Sequence, residues 1–288
     1  MKKLLYFTAI AAALLAVSSC KEKPIDQPDV LPAPANAAYA KKMVLATSDL
    51  NIKSIEFTEG GRYIVAFLEV ENFSAAPTKA VGGNLGYLTG IYTVSGNTYK
   101  LQGFGTVTID GNTVTINPDN GPQIQTTFSD ATQNPGGDIY TTVARTWKVD
   151  NSRITVNADG HTVSVTKAGC DLPSVAAELV GKGVKINPER VAGYVVKEVI
   201  FTKSKTFSVT FTGAEAFVGE FDLKADNTFS YDFEGNSGND FFNASSNGSV
   251  NYVAEDQQLV FSVSAVLKNV DNPTTYSGTV TMYLSEVK

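Results

Sequence analysis

Residues 53–67 and 197–211 are two copies of one β-hairpin, and this duplication constrains the fold more than any other feature of the 288-residue chain. Lys53, Ile55, Phe57, Thr58, Tyr63, Val65 and Phe67 align without a gap on Lys197, Val199, Phe201, Thr202, Phe207, Val209 and Phe211. Apolar residues alternate along both runs of each copy, the pattern of strands buried on one face. The repeat continues downstream. Gly90, Tyr92, Asn97 and Tyr99 are matched by Gly219, Phe221, Asn227 and Phe229, with one residue added. Gly105, Val107, Val114 and Ile116 are matched by Gly248, Val250, Leu259 and Phe261, around a turn about two residues longer. Three blocks in the same order imply two related β-units in tandem.

Composition agrees. Hydrophobic residues make up 43% of the chain, enough for real cores, and Phe and Tyr far outnumber the single Trp147. Thr, Val, Ser and Gly are plentiful, which favours strands and turns over helix bundles. The net charge of -6 comes without a basic cluster, which excludes a nucleic-acid footprint. Cys20 and Cys170 are the only cysteines, too few for a disulfide framework.

Residues 1–19 carry Lys2 and Lys3, an apolar run from Leu4 to Val17 and then Ser18 and Ser19, the layout of a secretory leader. The run is short for a bilayer crossing, which takes about 20 residues. Val17-Ser18-Ser19-Cys20 resembles a bacterial lipobox. That resemblance implies acylation of the Cys20 thiol, cleavage before it, and a lipid bilayer as the first partner, since two or more acyl chains anchor a protein stably. No Asp follows Cys20; Lys21-Glu22-Lys23 follows instead, similar to the export signal of Bacteroidetes surface lipoproteins. The expected location is therefore the outer membrane, facing out. Residues 20–38 hold Pro24, Pro28, Pro32 and Pro34, a tether that at about 3.1 Å per residue reaches up to roughly 50 Å.

Residues 39–142 form the first expected β domain. A short helix is predicted over 37–47 from its helix formers. The hairpin follows, then a long loop over 71–86, and then strands with turns at Gly96 and at Asp110-Gly111. The stretch 129–141, with Asn134-Pro135-Gly136-Gly137, reads as a linker or as a loop within one continuous sheet. Residues 143–288 form the second domain. Trp147 opens its first strand, and Asp159-Gly160 turns a hairpin. A helix is predicted over 171–181, capped by Asp171 or Ser174, with Pro173 in its first turn and Gly181 at its end.

A lone Trp near the first strand, a short helix and successive up-and-down strands resemble the lipocalin-like (calycin-like) domains of Bacteroidetes lipoproteins. Thr146-Trp147-Lys148, the 171–181 helix, Phe201-Thr202 with Phe207, and the Gly219 to Phe229 block carry the likeness. The expected fold is all-β and mainly antiparallel, two tandem lipocalin-like barrel or sandwich units with one or two short helices. Such barrels close their edges and can enclose a small ligand.

Catalytic signatures are sparse. His161 is the single histidine, it follows a tight turn, and no Gly-x-Ser-x-Gly elbow accompanies it. One His and one remaining Cys do not make a conventional zinc site. Cys170 precedes the predicted helix, where a thiol is either activated by the helix N-terminus or simply buried; the buried reading is favoured. Asp119-Asn120 and Asn236 to Asp240 lack calcium-loop spacing. No cofactor or metal is expected. Aromatic residues on alternating runs, such as Tyr87, Tyr92 and Tyr99, read as core. Phe241-Phe242 sits in a polar loop, and together with Trp147 it is the candidate contact for a ligand or partner. The expected function is a non-enzymatic binding or accessory module for a small molecule, a glycan or a protein. The alternatives are a structural component of a surface complex, or a hydrolase using paired carboxylates. Function is expected in what differs between the two units, first in the loops 71–86 and 234–247.

Overall fold

The computed structural model describes residues 41–46, 52–58, 60–68, 79–82, 85–132, 138–214, 216–224, 226–232 and 245–287. The chain forms two closed antiparallel barrels of eight strands, one after the other. The first is built in chain order from β1 (Lys42–Leu45), β2 (Ile52–Phe57), β3 (Arg62–Leu68), β5 (Leu85–Ser95), β6 (Thr98–Leu101), β7 (Gly105–Asp110), β8 (Thr113–Pro118) and β9 (Ile124–Asp130), with β9 closing on β1. The short β4 (Lys79–Gly82) lies along β5 as a ninth strand.

The second barrel begins with helix α1 (Asp138–Val143) and the long β10 (Thr146–Ala158). An insertion without counterpart among the described residues of the first barrel comes next: β11 (His161–Ala168), helix α2 (Leu172–Gly181) and a 3-10 turn at Pro188–Val191. The barrel resumes with β12 (Val196–Phe201), β13 (Thr206–Phe211), β14 (Phe217–Leu223), β15 (Thr228–Asp232), β16 (Ser245–Val253), β17 (Gln258–Lys268) and β18 (Thr275–Glu286). β18 closes on β10, while β11 folds back along the other edge of β10.

The duplication holds at the level of hydrogen bonds. Thr58 Oγ1 accepts from the Arg62 amide, and Thr202 Oγ1 from the Thr206 amide, each at 3.0 Å, so one turn closes both hairpins. The β2–β3 register slips between Ile52 and Ser54, and the β12–β13 register slips between Val196 and Glu198. The bulged residues are therefore Lys53 and Lys197, the matched lysines of the repeat. Inside the barrels, Phe57, Tyr92 and Tyr99 pack with ring centroids 4.5–5.9 Å apart. Their counterparts Phe201, Phe221 and Phe229 form the same triangle at 5.3–5.8 Å. The edge-to-face pairs among them, Phe57–Tyr92, Phe201–Phe221 and Phe201–Phe229, each contribute about 0.5–1.5 kcal/mol beyond area burial.

Two local expectations are corrected. The helix predicted over 37–47 is a strand where it is described: in β1, Met43 and Leu45 are buried while Val44 between them is exposed. The ladders to β2 and β9 outweigh the weak helix preference of the residues. The loop expected over 71–86 contains β4 and the start of β5, the remainder lying outside the described residues. Its Gly86 is not a turn residue. It lies opposite Phe67, and a Cβ there would come within 2.5 Å of that ring. Gly90 stands to Tyr63 in the same way, at 2.7 Å, and in the second barrel Gly219 faces Phe207. These glycines let an aromatic ring lie across the neighbouring strand.

The second-domain helix is found as expected, with Asp171 Oδ1 accepting from the Ser174 amide at 3.0 Å and the helix running to Gly181. Its Leu172, Val175, Ala176 and Leu179 join the core of the second barrel.

Candidate functional site

Both barrel interiors are filled by side chains. Phe57, Tyr63, Tyr92 and Tyr99 occupy the first, and Phe201, Phe207, Phe229 and Phe261 the second, all fully buried. A hollow beneath α2, beside Ala176 and Val191, measures about 20 Å³, space for about one water. A space large enough for a ligand lies elsewhere, where the two barrels meet.

The barrels dock through the outer faces of the duplicated hairpins. Alternation along β2, β3, β12 and β13 sends Ile55, Phe57, Tyr63 and Val65, with Val199, Phe201, Phe207 and Val209, into the two cores. The residues between them point outward, yet Glu56, Glu198, Thr206 and Ser208 are no more than 5% exposed. They are covered by the other barrel. The Arg62 guanidinium on β3 forks onto Glu198 of β12, with Nε to Oε2 at 2.9 Å and Nη2 to Oε1 at 2.5 Å. Reciprocally, the Thr206 hydroxyl on β13 donates to Glu56 Oε2 of β2 at 2.7 Å. Each hairpin thus reaches from the start of its second strand to an acidic residue on the first strand of the other. A small apolar cluster of Ile64, Ala66 and Tyr87 against Ala216 and Val218 completes the joint. Gly60 abuts the second barrel, since a Cβ there would sit 2.3 Å from Thr146 Oγ1.

Beside this joint opens a cleft of about 410 Å³. The first barrel lines it with Arg62, Thr89, Gly90 and Gln102, and the second with Lys197, Glu198 and Thr210 over Ile200 and Phe211. The volume falls in the range of small-molecule sites, about 300–1,000 Å³. One wall is fixed from within the first barrel: the Tyr63 hydroxyl donates to the Gln102 carbonyl at 2.7 Å. Burial, assisted by Asp119, pushes the Tyr63 phenol well above its ordinary range, so it stays a donor. The cleft offers hydrogen bonds and charge; it has no histidine or cysteine, and no group of potential metal ligands occurs among the described residues.

The sequence-predicted site residues are not brought together. Cys20, Phe241 and Phe242 lie outside the described residues, as do residues 234–244 of the second expected loop. Trp147 is completely buried in the second core, its indole N–H donating to the Val143 carbonyl of α1 at 2.9 Å. Its ring has no surface to offer a partner. His161 is exposed at the β10–β11 turn. Cys170 is 2% exposed, and burial pushes its thiol up to about 12, the reverse of an activated nucleophile. The residues of the cleft were missed because they belong to hairpins that read as purely architectural. One signal was available: the inward positions of the two copies match, while the outward positions Ser54/Glu198 and Arg62/Thr206 do not.

Comparison with protein-family models, with curated proteins and with solved structures finds no match for this chain.

Proposed function

We propose that the protein is an outer-membrane lipoprotein held at the cell surface through acylated Cys20, and that it works as a non-enzymatic binding module whose ligand enters the cleft between its barrels. The observation that carries this reading is the place of the free volume. The interiors are packed with aromatic rings, whereas the joint leaves about 410 Å³ lined by polar and charged side chains. The leader, the Val17-Ser18-Ser19-Cys20 lipobox and the proline-bearing tether support the anchored state, and the all-β barrels agree with the lipocalin-like resemblance. Here, however, the ligand site is between barrels rather than inside one.

Two experiments test the reading. Cys20→Ser should abolish incorporation of a fatty-acid label and release the protein from membranes; retained label would refute the anchor. For the site, the soluble barrels are incubated with a cell-envelope extract, washed, and analysed by mass spectrometry beside the Gln102→Trp variant. Gln102 is exposed at the cleft, so a bulky ring there fills the space without disturbing a core. A small molecule retained by the parent and lost from Gln102→Trp supports the cleft. Equal retention by both, or none by either, counts against it.

A further inference from the structure

The chemistry left unused in the cleft selects a ligand class, granted the reading of the cleft as a binding site. Its one carboxylate is engaged. Both Glu198 carboxylate oxygens are taken by Arg62, and the Gln102 carbonyl by Tyr63. Its donors are not. The Lys197 ammonium, the Gln102 side-chain amide and the Thr89 hydroxyl have no partner among the described residues. Arg62 and Glu198 cancel, so Lys197 leaves one uncompensated positive charge in a chain whose net charge is -6. The backbone aims that charge. Lys197 is the extra residue of the β12 bulge, which bends the strand and re-directs the side chain. Its counterpart Lys53 sits on the same bulge of β2, but only Lys197 lines the cleft.

We propose that the cleft binds a small oxyanion, a carboxylated or phosphorylated compound of about sugar size, with Lys197 as its charge partner and Gln102 and Thr89 as hydrogen-bond donors. An ammonium in this position serves as a point charge that accepts either anion, while the forked Arg62 stays committed to Glu198.

The test titrates the two-barrel protein with three probes that share one ring: glucose, glucuronate and glucose 6-phosphate. Amide chemical shifts of the cleft residues are followed by NMR. Glucuronate, glucose 6-phosphate or both should shift these amides at least about tenfold more tightly than glucose, and should weaken as salt is raised. Which anion is tighter identifies carboxylate or phosphate as the preferred group. Lys197→Met should weaken the anions about tenfold and leave glucose unchanged, whereas Lys197→Arg should retain them. Lys197 is exposed, so neither variant threatens the fold. Glucose binding in the cleft as tightly as the anions, or anion binding indifferent to Lys197→Met, overturns the anion assignment while leaving a binding cleft in place. No shift with any of the three overturns the assignment too, and the Gln102→Trp comparison then decides whether the cleft binds anything.

Discussion

The two hairpins that define the repeat have the same inside and different outsides. Facing inward, Ile55, Phe57, Tyr63 and Val65 of the first barrel stand where Val199, Phe201, Phe207 and Val209 stand in the second, and all of them are buried in their cores. Facing outward, Ser54 and Arg62 of one copy correspond to Glu198 and Thr206 of the other. The difference teaches what each set does. The inward residues make a barrel, and any barrel of this kind needs them. The outward residues make the two barrels fit each other, and a joint between unlike partners requires the copies to diverge. Across the joint Arg62 meets Glu198 with a bidentate fork, a geometry suited to carboxylate, whereas its counterpart Thr206 meets Glu56 through a single hydroxyl.

The cores differ in their rings and in what covers them. Where the first barrel uses Tyr63, Tyr92 and Tyr99, the second uses Phe207, Phe221 and Phe229. Two of the extra hydroxyls donate to backbone, Tyr63 to the Gln102 carbonyl and Tyr92 to the Thr58 carbonyl at 3.2 Å. The second barrel instead adds a fourth ring, Phe261, where the first has Ile116, and gains α2 as a lid on its core. Its only tryptophan is Trp147, so intrinsic indole fluorescence reports the unfolding of the second barrel alone.

The largest separation of the barrels should come from truncating a ring. Phe207→Ala removes a side chain 1% exposed in the second core and should cost about 3–5 kcal/mol, seen as an early Trp147 transition in denaturant. If the loss is under about 1 kcal/mol, the matched ring triangles are not what holds a barrel. Gly90→Ala acts on the first barrel by overpacking. Its Cβ would lie 2.7 Å from the Tyr63 ring, and the expected cost is about 1–3 kcal/mol, with the far-UV transition moving before that of Trp147. The same change at Gly96 meets open space but a φ of +61°, so a smaller loss of about 1 kcal/mol isolates the backbone contribution.

The smallest effect is a titration. Cys170 in the second barrel and Tyr63 in the first both have their proton-dissociation points raised by burial. A group raised on folding stabilises fully below its unfolded value and loses that contribution as pH climbs. For Cys170 the loss runs from the ordinary thiol value of 9.0 toward about 12. The second barrel should therefore lose this contribution above pH 9 and the first, through Tyr63, only above about pH 10. At pH 8 a thiol reagent should label Cys170 only as fast as the second barrel opens; immediate labelling would contradict the burial.

Much of the strand pattern was legible in the chain, because alternation with a period of two marks which residues face a core. The helix over 171–181 was legible for a similar reason, through its Asp171 cap and Pro173 start. Closure was not. Nothing in the alternation says that Ile124–Asp130 turns back to pair with Lys42–Leu45, and the Ala- and Lys-bearing stretch around the latter favoured a helix by local preference. Glycine misled in the same direction: Gly86 looked like loop chemistry because its role, room for the Phe67 ring, exists only across strands. The joint was the hardest to see. Glu56, Glu198, Arg62 and Thr206 have the polarity of solvent-facing strand positions, and only the presence of a second barrel turns them into buried contacts. The described residues of the loops 71–86 and 234–247, singled out first in the sequence, do not line the cleft; strand residues of both barrels and the β6–β7 turn do.

A double-mutant cycle on Arg62 and Glu198, one residue from each barrel and 136 positions apart in the chain, tests the docking of the hairpin faces most directly. Arg62→Met, Glu198→Leu and the double variant are unfolded in denaturant and followed by Trp147 fluorescence. Removing one partner strands a charge that is 14% or 7% exposed, whereas removing both leaves an apolar contact. The account predicts a coupling of at least about 1.5 kcal/mol, with the double variant more stable than the sum of the single losses implies. Additivity within about 0.5 kcal/mol would mean that the two side chains do not meet, and the joint with its cleft would fall with them.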